Sequence, residues 1–355
     1  MKRPGSWAVL LWVFALTFGC RIQGGLTGGS GSGSGNSGGG GGGGGGSNEN
    51  AGGATGGGSA SGGGAGSGAG GPSCTNPANH CLEEGEVFVA DSAFDSGYIT
   101  VSLAKQTGQA NAQGEADYLK IASGENIHTK YMWQTRPATD ADIQVGRMAI
   151  SLDVQENGVY RAARTRDDAK SNSQWFLARI INVDNKAQGY VIVSGPYKVA
   201  VGGIRVPVKD DSPSVVISGP EDKHFIHDDY WFVGDADLPA SGYINVRVAV
   251  AVKPPTKETG NEGQFILIPS GKIVWSKYAW KTRIASKDEL KTGVYAFMLD
   301  TQRDGVYRAP ESREDAFGGS QWFAAKIVDT GQMYKGVLGV AGGYNVAPEG
   351  MRVRR

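Results

Sequence analysis

Apolar and polar residues alternate with a period of two along Ala90–Leu103, Tyr243–Val252 and Trp322–Val328, and glycine-containing breaks separate such runs. That period places successive side chains on opposite faces of an extended chain, so the pattern predicts half-buried strands and a mainly β fold. Ser123-Gly124 and Ser270-Gly271 lie between apolar runs and read as hairpin turns. On the strand after the second turn, Tyr278, Trp280 and Thr282 share one face, while Lys277, Lys281 and Arg283 take the other. Tyr278 and Trp280, with Tyr131 and Trp133, are therefore assigned to the core. Ser286-Lys287-Asp288-Glu289 has the spacing of a capping box and predicts a short helix ended by Gly293; Thr139, Asp142 and Gly146 form a weaker version. Further on come a strand at 294–300, a long polar loop at 301–319, strands at 321–329 and 334–340, and a closing Met351-Arg352-Val353.

These elements occur twice. Residues 88–206 recur in 232–353 at a spacing of 147 positions through most of their length. Thr129-Lys130-Tyr131-Met132-Trp133-Gln134-Thr135-Arg136 returns as Ser276-Lys277-Tyr278-Ala279-Trp280-Lys281-Thr282-Arg283, Gly158-Val159-Tyr160-Arg161-Ala162 as Gly305-Val306-Tyr307-Arg308-Ala309, and Ser173-Gln174-Trp175-Phe176 as Ser320-Gln321-Trp322-Phe323. The reading is of two homologous β modules, 88–206 and 232–355, joined by a linker at 207–231 that carries Pro213, Pro220 and a charged Glu221-Asp222-Lys223.

Ahead of the modules the composition changes abruptly. Between Arg21 and Ser73, 28 of 53 residues are glycine and nearly all the others are small or polar. Such a stretch has no apolar surface to offset the entropy of ordering, so 21–73 is expected to be a disordered tether. It is preceded by Lys2 and Arg3, an apolar run from Trp7 to Phe18, and Gly19-Cys20. That segment resembles the signal peptide and lipobox of bacterial lipoproteins, although Leu16 stands one position further from the cysteine than is usual. The resemblance implies a signal peptide over 1–20, export, acylation (palmitate) of Cys20 and anchoring to a bacterial membrane through the N-terminal lipid. Arg21 takes the place of the aspartate that marks inner-membrane retention, which leans the localisation to the outer membrane, facing the periplasm or the surface. Gly-rich tethers of this kind also resemble those of uncharacterised bacterial lipoproteins.

Charge narrows the partners. Thirty-five basic and 35 acidic side chains give no net field to attract nucleic acid. Of the 3 cysteines, Cys74 and Cys81 are left to pair once Cys20 is acylated, and their disulfide, in a cysteine loop at 74–87, suits an oxidising compartment. A metal held by Cys74, Cys81 and His80, or by His224 and His227, is the less favoured reading, and neither a metal nor a cofactor is expected.

Trp322-Phe323-Ala324-Ala325-Lys326-Ile327-Val328 and Trp175-Phe176-Leu177-Ala178-Arg179-Ile180-Ile181 are each followed by a tyrosine-bearing strand. In this the two modules resemble SH3-like barrels of the Tudor type. The resemblance implies β-barrel-like domains that bind ligands through aromatic residues near one end, and it covers about the last 65 residues of each copy.

Candidate chemistry points to binding rather than turnover. The four histidines, His80, His128, His224 and His227, hold no shared place in the two copies on this reading, so a shared activity has no histidine base. The long loop of each copy gathers Tyr160-Arg161 or Tyr307-Arg308, then Asp168 or Asp315, then Trp175 or Trp322. Aromatic planes stack on sugars, and arginine forks carboxylates or phosphates. On the Trp322 strand Phe323, Ala325 and Ile327 form the apolar face, which turns Trp322 and Lys326, and likewise Trp175 and Arg179, to a partly wet side. Trp175, Trp322, Arg161, Arg308, Arg179, Lys326, Asp168 and Asp315 are thus the candidate ligand residues, for an envelope or extracellular glycan or a protein partner. Two alternatives stand beside this: Arg161–Asp168 and Arg308–Asp315 as mere loop latches on a structural envelope protein, and a glycan-processing enzyme that uses the loop carboxylates.

Overall fold

The computed structural model describes Cys74 and residues 76–171, 174–318 and 321–355. Cys20 and the glycine-rich stretch 21–73 lie outside the described residues. Two long strands, Tyr98–Gln106 and Tyr243–Lys253, organise the fold. The first pairs antiparallel with Glu86–Val89, Ala116–Lys120 and Trp175–Asn182. The second makes the matching pairs with Tyr230–Gly234, Gly263–Leu267 and Trp322–Asp329. Each half grows in this way into a sheet of 13 strands, and the two sheets share one order of pairing. The protein is mainly β, as the alternation indicates. The main strand path of each half is open, ending at Asn126–Thr129 and Gln155–Glu156 in the first, and it does not close into a barrel.

The hairpin glycines sit where the turns need them, Gly124 and Gly271 both at φ +69°. Both capping boxes form, Ser286 with Glu289 and Thr139 with Asp142, each at the head of a three-residue 3-10 turn. The polar loops contain short α-helices that the alternation did not suggest, Arg166–Lys170 and Arg313–Phe317, capped by Thr165 and Ser312. The 334–340 strand is shorter than expected: a 3-10 turn takes Met333–Lys335, and pairing begins at Leu338.

The strand that starts at Trp175 is buried on both sides. All eight residues of Trp175–Asn182 are buried. Trp175 and Leu177 point into one cluster with Phe88, Val101 and Leu152, while Phe176, Ala178 and Ile180 point into another with Tyr160, Val191 and Val199. Trp322 and Ala324, against Phe323, Ala325 and Ile327, repeat the division. Alternation along such a strand therefore separates two cores and not core from water.

The stretches that precede the modules also match. Cys74 and Cys81 are joined by a disulfide, with Cα atoms 5.1 Å apart. Phe88 opposite Trp133 corresponds to Phe232 opposite Trp280, three residues short of the spacing that relates the rest. In that register His80, Cys81 and Leu82 align with His224, Phe225 and Ile226. Cys81 and Phe225 both have positive φ, and the other four side chains are buried. The histidines His80 and His224 thus do hold a shared place, contrary to expectation, each beside a buried arginine, Arg205 or Arg352. Burial lowers the pKa of both, to about 4 for His80.

Candidate functional site

The structure moves the candidate residues away from solvent. Trp175 and Trp322 are only 2% and 3% exposed, and their indole Nε1 atoms donate to the Ala169 and Ala316 carbonyls at 2.9 and 3.1 Å. Each closes the short helix just before it and packs edge-on or tilted against Phe88 or Phe232. Around the tryptophans the expected wet side is covered by a second core, and on the Trp322 strand it begins only at Lys326, so these tryptophans are not free to stack on a ligand.

Arg161 donates to Asp168 Oδ2 at 2.5 Å and to its neighbour's carbonyl, and Arg308 to Asp315 Oδ2 at 2.7 Å. The same carboxylates accept the Arg164 and Glu311 amides at 2.9 Å. These are loop latches. Burial would raise the Asp168 pKa, but the Arg161 and Arg164 hydrogen bonds outweigh it and hold the pKa below the ordinary value, which is wrong for a proton donor. Arg179 is buried as well: Nε donates to the Gly271 carbonyl at 2.9 Å, Nη1 to the Gly146 carbonyl at 2.7 Å, and the guanidinium lies over the Phe94 ring. Its counterpart Lys326 keeps partial exposure over the Tyr295 ring.

Arg179 leads to what the candidate list missed, the seam between the modules, which lie in one compact unit. The Ser270-Gly271 turn of the second module enters the first between Gly97, Arg179 and Ser194. A Cβ on Gly97 would come within 2.1 Å of the Ser270 carbonyl oxygen, and one on Gly271 within 2.3 Å of Ser194 Oγ. Only glycine permits this approach. One core cluster crosses the seam, joining Val145 and Ile181 to Tyr230, Phe317 and Trp322.

A single exchange between the copies accounts for the polar half of the seam. In the first module Arg166 donates to Glu86 Oε2 at 2.8 Å and to the Cys81 carbonyl at 3.1 Å. Arg313 is its counterpart, but Tyr230 stands in the place of Glu86. Without that partner, Arg313 reaches Asp184 of the first module at 2.5 Å and also binds Glu221. His227 Nε2 lies 3.2 Å from Asp184, its Nδ1 lies 2.7 Å from the Gly219 carbonyl oxygen, and Lys198 pairs with Glu314 at 3.3 Å. Asp184, Glu221 and His227 come close enough to share a cation, but the Arg313 guanidinium supplies the positive charge there.

Burial would raise the Asp184 pKa, yet hydrogen bonds from His227 and Asn182 and the Arg313 charge lower it to about 2. Its contribution to stability is complete above the ordinary carboxylate value, about 3.9, and is lost as pH falls toward about 2. The thermal midpoint is therefore expected to fall more steeply between about pH 4 and 2 in the native chain than in Asp184→Asn; equal acid slopes would show that the seam network is not the acid-sensitive element.

Between these ion pairs the seam holds a small cleft of about 60 Å³. Ile181, Ile192 and Pro196 form one wall, and Ile268 and Phe317 the other. Tyr230 lines the cleft, 2% exposed, with its hydroxyl beside the Asn182 side chain. No protein-family model matches the chain, and no curated protein matches it significantly.

Proposed function

We propose that this chain is a non-catalytic binding protein, exported and moored to a bacterial membrane through a lipid on Cys20, and that its ligand enters the cleft at the seam of the two modules. The observation that carries the reading is the cleft itself: a largely apolar space walled by both copies, bordered by ion pairs that cross from one to the other. On this view the duplication serves to build one composite site, in place of two equivalent sites on the Trp175 and Trp322 strands. On this reading the ligand lies between the modules and not at the end of a barrel. Turnover of a glycan by the loop carboxylates is disfavoured because Arg161 and Arg308 hold both Asp168 and Asp315.

Two measurements test the two halves of this proposal. The full-length chain expressed in a bacterial host is expected to incorporate radiolabelled palmitate, and Cys20→Ser is not; equal labelling would remove the anchor. The neutral fluorophore N-phenyl-1-naphthylamine is expected to bind the folded protein with enhanced emission. Ile192→Trp, which fills the cleft from the first-module wall, is expected to weaken it by at least about tenfold, roughly 1.4 kcal/mol, while Ile192→Leu retains it. Binding that survives Ile192→Trp in a variant that still melts cooperatively would place the ligand elsewhere.

A further inference from the structure

At one place the two modules carry opposite surfaces on the same scaffold. In the first, the 3-10 turn Lys186–Gln188 stands near the turn Asp140–Asp142. Lys186 Nζ spans the gap between them, 2.8 Å from Asp140 Oδ1 and 2.9 Å from the Asp140 carbonyl oxygen. In the second module the matching turns are Met333–Lys335 and Lys287–Glu289. The common spacing sets Met333 against Lys186, Tyr334 against Ala187 and Lys287 against Asp140. The bridging cation has become a thioether, and its carboxylate partner has become a cation. That ion pair cannot form, and a groove of about 870 Å³ lies there instead, a volume in the range of small-molecule sites.

Carbon dominates the lining. Ile284, Leu290, Met333 and Pro348 contribute to it, together with Tyr334, which at 81% exposure is the most exposed large apolar side chain among the described residues. Methionine is unbranched and polarisable, so it adapts its shape to what it meets. The charges around this carbon are unbalanced. Lys223 takes up the one carboxylate of the groove, Glu349, at 3.0 Å. Lys287 lines the groove with no ion pair among the described residues, and Lys335, equally unpaired, lies with its Nζ 5.5 Å from the Tyr334 ring centroid. A cationic ligand would meet like charge here, and a neutral one would leave both lysines unused.

We infer that this groove binds a small anionic amphiphile, with its aliphatic or aromatic body against Met333 and Tyr334 and its carboxylate or similar head on Lys287. The concave shape suits a single molecule, whereas a bilayer presents its charge on a flat face. The site goes beyond the proposed function and shares no lining residue with the seam cleft. The first module, where Lys186 and Asp140 close the corresponding gap, is the internal control.

The test titrates the full chain with 11-(dansylamino)undecanoate and with its methyl ester, followed by dansyl fluorescence. The native chain is expected to bind the acid about two- to fivefold tighter than the ester, the effect of one exposed ion pair, and Lys287→Gln is expected to abolish that preference. Lys287→Asp combined with Met333→Lys rebuilds the ion pair of the first module across the groove. It is expected to weaken the acid at least about tenfold and to keep a cooperative melt. Tyr334→Ala, at an exposed position that the fold does not depend on, is expected to weaken acid and ester alike by at least about threefold. Ile192→Trp, in the seam, is expected to leave both unaffected. Acid binding that survives the double substitution and Tyr334→Ala, or that is lost in Ile192→Trp, would place the probe outside the groove and overturn the inference. So would equal affinity of acid and ester for the native chain, or no binding of either. Sedimentation of the chain with phosphatidylglycerol vesicles, lost in the double variant and unaccompanied by binding of the monomeric acid, would overturn it in favour of a membrane contact. The seam reading is tested separately, because its own variant, Ile192→Trp, leaves the groove intact.

Discussion

Replacing Trp322 by alanine is expected to destabilise the protein by about 3–5 kcal/mol, the usual cost of deleting a large aromatic from a close-packed core. The side chain sits 5.0 Å from Phe232 in a T-shaped contact and shares its cluster with Phe297, Leu299 and Phe317. Its loss also deprives the Ala316 carbonyl of the indole donor, a further cost of about 1 kcal/mol. Trp175→Ala is expected to behave alike, since Trp175 meets Phe88 at 4.9 Å and caps Ala169 in the same way. The two tryptophans belong to different clusters, so their effects should add to within about 0.5 kcal/mol. Urea unfolding of the single and double variants measures this. A double variant with a nearly unchanged midpoint would mean that these residues face solvent and would restore them as ligand anchors.

How far the sequence led can be seen on that same strand. Period-two alternation correctly gave strands, and the paired motifs gave their duplication in register, because both signals are local or repeat at a fixed spacing. Alternation cannot say, however, whether the second face meets water or another core. Trp322 reads as the wet side because it shares a face with Lys326 opposite Phe323, Ala325 and Ile327, and Lys326 lies at the point where the second core ends. The short helices carried a legible mark in Thr165-Arg166-Asp167-Asp168 and Ser312-Arg313-Glu314-Asp315, where the cap oxygen accepts the Asp168 or Asp315 amide at 3.0 Å.

The seam was harder to find for a physical reason. It depends on one arginine losing its partner, and the loss shows only when Glu86 is set against Tyr230. That comparison requires moving off the spacing that fits the rest of the repeat. Gly271 reads as an ordinary turn glycine, and only its approach to another segment gives it a further role.

Arg352→Leu is the second substitution expected to be severe, at about 3–5 kcal/mol, the range for removing one member of a buried ion pair. Arg352 is 1% exposed; its Nη1 donates to Asp222, its Nε donates to Thr282 Oγ1 at 2.8 Å, and its guanidinium lies 6.0 Å from the Phe232 ring centroid. Arg205, its counterpart, is equally enclosed but meets neutral acceptors: Thr135 Oγ1 at 2.9 Å, the Thr135 carbonyl at 3.0 Å, and the Asn79 carbonyl and Oδ1 at 2.8 and 2.9 Å. Burial lowers the Arg205 pKa to about 10, so it stays charged at neutral pH without a carboxylate. The two positions therefore separate pairing from burial. Asp222→Asn added to Arg352→Leu removes the stranded charge yet retains the oxygen that accepts the His224 amide at 2.9 Å, and it is expected to recover about 1 kcal/mol or more. Asn79→Ala added to Arg205→Leu leaves no charge to relieve and is expected to recover nothing. If Asp222→Asn gives no rescue in urea unfolding, packing around Arg352 and not its charge holds the stretch before the second module in place, and the likeness of the two buried arginines would extend to their energetics.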